Sequence, residues 1–251
     1  MTEGPTARLR AIQIKERFQG EKVLDIFTRS KKLFTDPRDL IGLTLDRTDS
    51  YGKNILLFLR KYAIRIHLMM FGSIRFENNY SKPFQRVRLY IGFSSGKLVV
   101  YNAPIVEIDF ADSIEKRLSE SLGVDPLRNW NKELLLEMLS NEGNRLIGDV
   151  LLDQKIFAGV GNILRNEILH RVGIRPGRKV NEISREEKIK LVEYCKKLSE
   201  DFLEEKIKSG RIGNILMVYN RKRCGKCGDK IIFYRDKITS RKTFYCPICQ
   251  K

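Results

Sequence analysis

Four cysteines close to the C-terminal end are the residues whose type and spacing speak most directly of chemistry. Cys224-Gly225-Lys226-Cys227 and Cys246-Pro247-Ile248-Cys249 form two C-x-x-C knuckles separated by 18 residues. Each knuckle can present two thiolates to one tetrahedral Zn²⁺, and the residues between them suit a β-hairpin. Paired disulfides or free thiols are the competing reading, and nothing in the chain points to the secreted setting that disulfides need. Four thiolates would close the zinc shell and leave no position for water, so the expected metal is structural. It would stabilise a segment too short to bury a core of its own. The fifth cysteine, Cys195, lies in a charged, helix-like stretch and reads as a lone thiol.

A second chemical signal is charge. Lys and Arg total 48 against 31 acidic residues, a net +17 with a pI near 9.7. That excess favours a polyanionic partner, nucleic acid first; a merely basic surface is the bland alternative. Hydrophobic residues make up 42% of the chain, which excludes a disordered composition. No apolar run reaches the ~18 residues that span a bilayer, and the first residues lack the apolar core of a secretory signal. The expectation is an intracellular protein, cytoplasmic or at the nucleoid, with no membrane partner and no targeting signal.

The elements that must position these groups fall into three zones, giving an α+β chain. Residues 1–115 open with a helix over Ala7–Phe18, stopped by Gly20. Short β-branched and aromatic runs follow at Val23–Thr28, Leu43–Thr48, Asn54–Leu59, Ile64–Met69, Val87–Phe93 and Leu98–Tyr101. With turns at Ser50-Tyr51-Gly52-Lys53 and Ser94-Ser95-Gly96-Lys97, they predict an antiparallel β-sandwich or barrel. Residues 116–216 carry helical spacing, with Leu134, Leu135, Met138 and Leu139 in one run and Ile163, Leu164, Ile168 and Leu169 in another. Ser184 and Glu187 form a capping box that opens a helix through Glu205. Residues 217–251 are the cysteine segment.

Within the helical zone, Leu152–Leu169 reads LDQKIFAGVGNILRNEIL. The run breaks at Gly159-Val160-Gly161, and Asn162 stands where a new helix begins. Glycines permit close backbone approach there, and a helix N-terminus offers unpaired N–H groups to a phosphate. An ordinary helical corner would look the same. Three separated motifs in order, however, resemble the formamidopyrimidine-DNA glycosylase and endonuclease VIII family of base-excision repair enzymes. Asp153–Glu167 resembles its helix–two-turn–helix signature, Cys224–Cys249 its zinc finger, and Thr2-Glu3-Gly4-Pro5 its N-terminal block. Leu122-Gly123-Val124-Asp125-Pro126-Leu127 fits as well. The formamidopyrimidine branch has an Arg-Arg-Phe loop where this chain has Asn102–Ile108. That absence, and the wording Asn162–Leu169, are more similar to endonuclease VIII.

The resemblance implies a bifunctional DNA glycosylase and AP lyase acting on oxidised bases, pyrimidines favoured, in double-stranded DNA. It implies a monomer. The nucleophile would be the α-amine of Thr2, freed by removal of Met1, where the family usually has proline. An α-amine titrates near 7.7–8.0 against about 10.4 for lysine, so a useful fraction is unprotonated near neutral pH. Glu3 matches the adjacent acid that shuttles protons. The family's next acidic position holds Thr6. Lys53 matches the family's β-turn lysine. Met69, Met70 and Phe71 fall where the family inserts residues into the vacated base stack; an apolar strand end in the core is the alternative. Asn162, assisted by Lys155, and Arg241 in the finger match phosphate contacts that position DNA without reading sequence. The substitutions at Thr2 and Thr6 keep open a non-catalytic relative that binds damaged DNA. A zinc-ribbon protein binding RNA is a weaker alternative.

Overall fold

The computed structural model describes residues 2–77, 81–236 and 240–251. By contact the chain divides into two compact units. Thr2 and Thr6–Ser121 form the first; Glu3–Pro5 and Leu122–Lys251 form the second.

In the first unit, helix α1 (Gly4–Phe18) turns Ala7, Ala11, Ile14 and Phe18 onto one face, all at most 3% exposed. It stops before Gly20, whose φ of +87° suits glycine. Two sheets share that interior. One has the order β1 (Asp25–Thr28), β7 (Val87–Phe93), β8 (Gly96–Tyr101), β6 (Ser73–Phe76), all antiparallel. The other has the order β2 (Lys32–Leu33), β9 (Ile105–Phe110), β5 (Tyr62–His67), β4 (Asn54–Leu59), β3 (Arg47–Tyr51), with only β2–β9 parallel. Alternate residues face inward: Ile55, Leu57 and Leu59 from β4, Ile64 and Ile66 from β5, Leu89, Ile91 and Phe93 from β7. Each such side chain contributes roughly 1.5–3 kcal/mol of burial. This is the expected sandwich, closed by α1. Helix α2 (Ala111–Ser121) ends the unit.

The strand bounds differ from the sequence expectation at several places. Asn54–Leu59 and Val87–Phe93 agree. The run expected through Met69 ends at His67, because Met69 turns to φ +50°. Strands β2, β6 and β9 were not foreseen. In β9, Glu107 and Asp109 are each 5% exposed, and their charges meet Arg65 and Arg117. Paired in this way, two acids fit a buried strand.

The second unit holds α3 (Lys132–Ser140), α4 (Ile147–Val150), α5 (Asn162–Val172) and the 25-residue α6 (Arg185–Ser209). Leu135, Leu139, Val150, Leu164, Ile168, Leu191 and Phe202 pack into its core. Ser184 and Glu187 form the capping box of α6, and Gly210 (φ +71°) ends it. Strands β10 (Ile232–Arg235) and β11 (Lys242–Tyr245) form an antiparallel hairpin. No described helix is long and apolar enough to cross a membrane.

Candidate functional site

Within the first unit, the backbone nitrogen of Thr2 donates to the Met69 carbonyl at 3.1 Å, and Thr2 is 7% exposed. Met69 begins a tight turn after β5. Its φ is +50°, and Gly72 N–H donates to Leu68 O at 2.8 Å. A Cβ on Gly72 would stand 2.5 Å from that carbonyl, so the turn requires glycine. The turn holds Met69, Met70 and Phe71 in solvent at 45%, 59% and 78% exposure. They are a surface tip, not core. His67, which the sequence reading passed over, accepts the Met69 N–H through Nδ1 at 3.1 Å. Burial first, then the charges of Arg65 and Lys53, bring its pKa down to about 4, so it is neutral at pH 7.

Lys53 sits in the β3–β4 turn after Gly52 (φ +56°). Its neighbour Asn54 pairs with His67 across the ladder and donates Nδ2–H to Tyr51 O at 2.9 Å. Arg65 Nε–H donates to Asn54 Oδ1 at 2.9 Å, and Arg65 pairs with Glu107 at 3.1 Å. A buried polar chain thus holds the turn that carries Lys53.

Within the second unit, Glu3 is fully buried. Its carboxylate accepts the N–H groups of Gly161, Ile163 and Leu164 at 3.1, 2.8 and 3.3 Å. These are orphan donors at the start of α5, where the helix dipole also favours a negative charge. The sequence pattern offers such N–H groups to phosphate; three of those around this helix start belong to Glu3 instead. A Cβ on Gly161 would lie 2.5 Å from the Glu3 carboxylate. Gln154 braces the preceding turn, donating to Leu152 O and Val160 O and accepting from Gly159 N–H. Lys155 is exposed on that turn.

Helix α5 also carries a buried polar stripe of which the sequence singled out only Asn162, the rest being hidden behind its leucines and isoleucines. Asn162 donates Nδ2–H to Lys242 O at 2.9 Å, and Arg165 donates to Lys242 O and to Thr243 Oγ1 at 2.7 Å. Asn166 accepts Phe244 N–H at 2.7 Å. Glu167 accepts three backbone N–H groups, from Met217, Val218 and Tyr219, at 2.8–2.9 Å. His170 Nε2 lies 3.2 Å from Cys224 Sγ. All five side chains are at most 3% exposed. Together they seat the C-terminal segment, with Arg241 immediately before β11 and its carbonyl accepting Asp236 N–H at 2.9 Å.

At the root of that segment the four Sγ atoms of Cys224, Cys227, Cys246 and Cys249 lie within 4.8 Å of one another. The pairs Cys227–Cys246 and Cys224–Cys249 stand 3.5 and 3.9 Å apart, too far for disulfides. A tetrahedron of sulfurs about 2.3 Å from a metal has edges of about 3.8 Å, which these distances fit. Backbone N–H groups of Lys226 and Cys249 point at Cys224 and Cys246 Sγ, each at 3.4 Å. The cluster can bind a metal ion through all four thiolates. Cys195 stands apart, fully buried on α6, where desolvation pushes its thiol up.

Comparison with known proteins fits both units. Residues 1–104 match the formamidopyrimidine-DNA glycosylase N-terminal domain, and residues 122–216 match the formamidopyrimidine-DNA glycosylase H2TH domain. Formamidopyrimidine-DNA glycosylase of Pelotomaculum thermopropionicum is 31% identical over 92% of this chain and 90% of its own length. Probable endonuclease 8 2 of Streptomyces coelicolor is 29% identical over all of this chain and 94% of its own. Endonuclease 8-like 3 of Xenopus laevis is 29% identical over 90% of this chain, which spans only 38% of that relative. In structure, a Lactococcus lactis formamidopyrimidine-DNA glycosylase non-covalently bound to AP-site DNA superposes with a TM-score of 0.87. It is 23% identical, with 99% of each chain covered.

Proposed function

Since this chain belongs to the formamidopyrimidine-DNA glycosylase and endonuclease VIII family, we propose that it excises oxidised bases from duplex DNA and nicks the strand through an N-terminal amine. The enzymes of that family are base-excision repair DNA glycosylases with AP lyase activity. Its relatives carry both branch names, and oxidised pyrimidines are the preferred substrate in this reading. The parts are a catalytic sandwich over residues 1–115, a helix–two-turn–helix region over 116–216 and a finger over 217–251. The molecule is an intracellular monomer holding one structural Zn²⁺.

One observation carries the catalytic reading: the Thr2 nitrogen is fixed at the base of the exposed Met69-Met70-Phe71 tip. Removal of Met1 leaves that nitrogen as a free amine. The amine adds to C1′ of the damaged nucleotide, the glycosidic bond breaks, and the base departs with a proton. The C1′–O4′ bond then breaks, O4′ taking a proton, to leave a ring-opened iminium whose acidified C2′ proton is lost as the C3′–O bond breaks and the 3′ phosphate departs. A second elimination can follow. Thr is a primary amine and forms this iminium as proline does. Glu3, next in sequence, moves protons between the steps. Lys53 binds phosphate beside the lesion, and Met69, Met70 and Phe71 fill the space left by the extruded base. Asn162, Lys155 and Arg241 hold flanking phosphates; for Asn162 this means turning its Nδ2 away from Lys242 O.

Borohydride trapping on abasic and thymine-glycol duplexes tests this reading. A covalent adduct mapped by mass spectrometry to the Thr2 peptide is expected. No adduct from a preparation with Met1 removed would leave a non-catalytic binder of damaged DNA, the reading that Thr at positions 2 and 6 favours.

A further inference from the structure

His170 ends the polar stripe of α5 at its metal side. Its Nε2 lies 3.2 Å from Cys224 Sγ, and both residues are at most 4% exposed. Its Nδ1 is buried with no hydrogen-bond partner among the described residues. Among the described residues the ring therefore has one hydrogen-bond partner, a sulfur. A metal-bound cysteine is a thiolate and can only accept, so the proton must sit on Nε2. Leaving the other ring nitrogen unpaired in the interior is unfavourable, and the bond to sulfur is what offsets it.

We propose that His170 donates its Nε2–H to the Cys224 thiolate of the zinc-loaded chain and thereby slows loss of the metal. It is a positioning residue: it touches a ligand, not the metal or the DNA. An N–H···S bond draws charge from the sulfur, fixes its direction toward the metal and makes it a poorer nucleophile toward oxidants and alkylating agents. Outer partners of metal ligands commonly change metal affinity 10–100-fold. The inference rests on the zinc reading above and is independent of the excision chemistry.

Zinc is first counted per chain in the unsubstituted protein and in the His170→Phe and His170→Gln variants. Transfer of zinc to a chromophoric chelator is then timed, and cobalt(II) is substituted so that the sulfur-to-metal charge-transfer band can be read. The expected result is one zinc per chain in all three and transfer about tenfold faster from His170→Phe. That variant's charge-transfer band should move to lower energy. Gln, whose Nε2–H reaches a similar place, should return both readouts toward the starting values. A folded, loaded His170→Phe with unchanged transfer rate and band overturns this proposal alone. Should that variant fail to fold, ¹⁵N spectra of the loaded unsubstituted protein decide, since a bare Nε2 overturns the proposal. A chain that folds without zinc overturns the zinc reading and this proposal together.

Discussion

Both units have an apolar core, but the sandwich of the first and the seat of the finger in the second are held by different means. The sandwich interior is mainly aliphatic and aromatic side chains from two sheets and one helix, contributing through buried area. In the second, the seat of the finger on α5 is polar: five buried side chains meet specific backbone groups, a hydroxyl and a sulfur. Apolar packing tolerates substitutions that keep volume, whereas a buried hydrogen bond fixes register and penalises any partner left over. The sandwich therefore needs only its pattern, while the finger needs particular atoms in particular places.

On the proposed zinc reading, removing the metal should break this contrast most sharply. Structural zinc contributes roughly 10 kcal/mol in small fingers, so chelation should unfold residues 217–251 and abolish duplex binding. Calorimetry should show the sandwich transition unmoved; equal shifts of both transitions would mean that the two interiors are not separable. Next in size is Glu167→Ala. It orphans three backbone donors and takes the carboxylate from Arg171, which keeps its bonds to backbone carbonyls, and should destabilise the second unit by about 3–5 kcal/mol in denaturant titrations. A volume-conserving Leu57→Met in the sandwich should cost less than about 1.5 kcal/mol. The smallest effect concerns a polar group of the first unit. His67 titrates near 4 when folded and near 6.5 when unfolded, so the unfolded chain binds the extra proton between those values. Stability from this group is full above pH 6.5 and is lost as pH falls toward 4. His67→Gln should flatten that slope in melting curves taken across the window.

The sandwich was legible because its signal is periodic: the runs Asn54–Leu59 and Val87–Phe93 mark their strands to the residue. The finger was legible from cysteine spacing, since a tetrahedral metal demands that pattern. What sequence concealed was pairing across distance. β9 reads as too acidic until Arg65 and Arg117 are seen beside Glu107 and Asp109. Helix α5 shows its apolar spacing readily, but nothing local says that Arg165 and Glu167 are buried, because their partners in the C-terminal segment lie 50 to 78 residues away. One signal was available and unused. The chain has only two histidines, and both stand at the sites, His67 under the Met69 turn and His170 against Cys224.

The seat of Glu3 has a consequence for how the molecule comes into being. The N–H groups that hold its carboxylate lie 158 to 161 residues further on, around a glycine with no room for a methyl group. Synthesis delivers the acid roughly 160 residues before its seat. Contacts of such long sequence separation form late, because the loop must close before they return anything. A fragment that ends before residue 161 therefore lacks the seat, and Glu3 can be held as in the finished chain only once that segment is made.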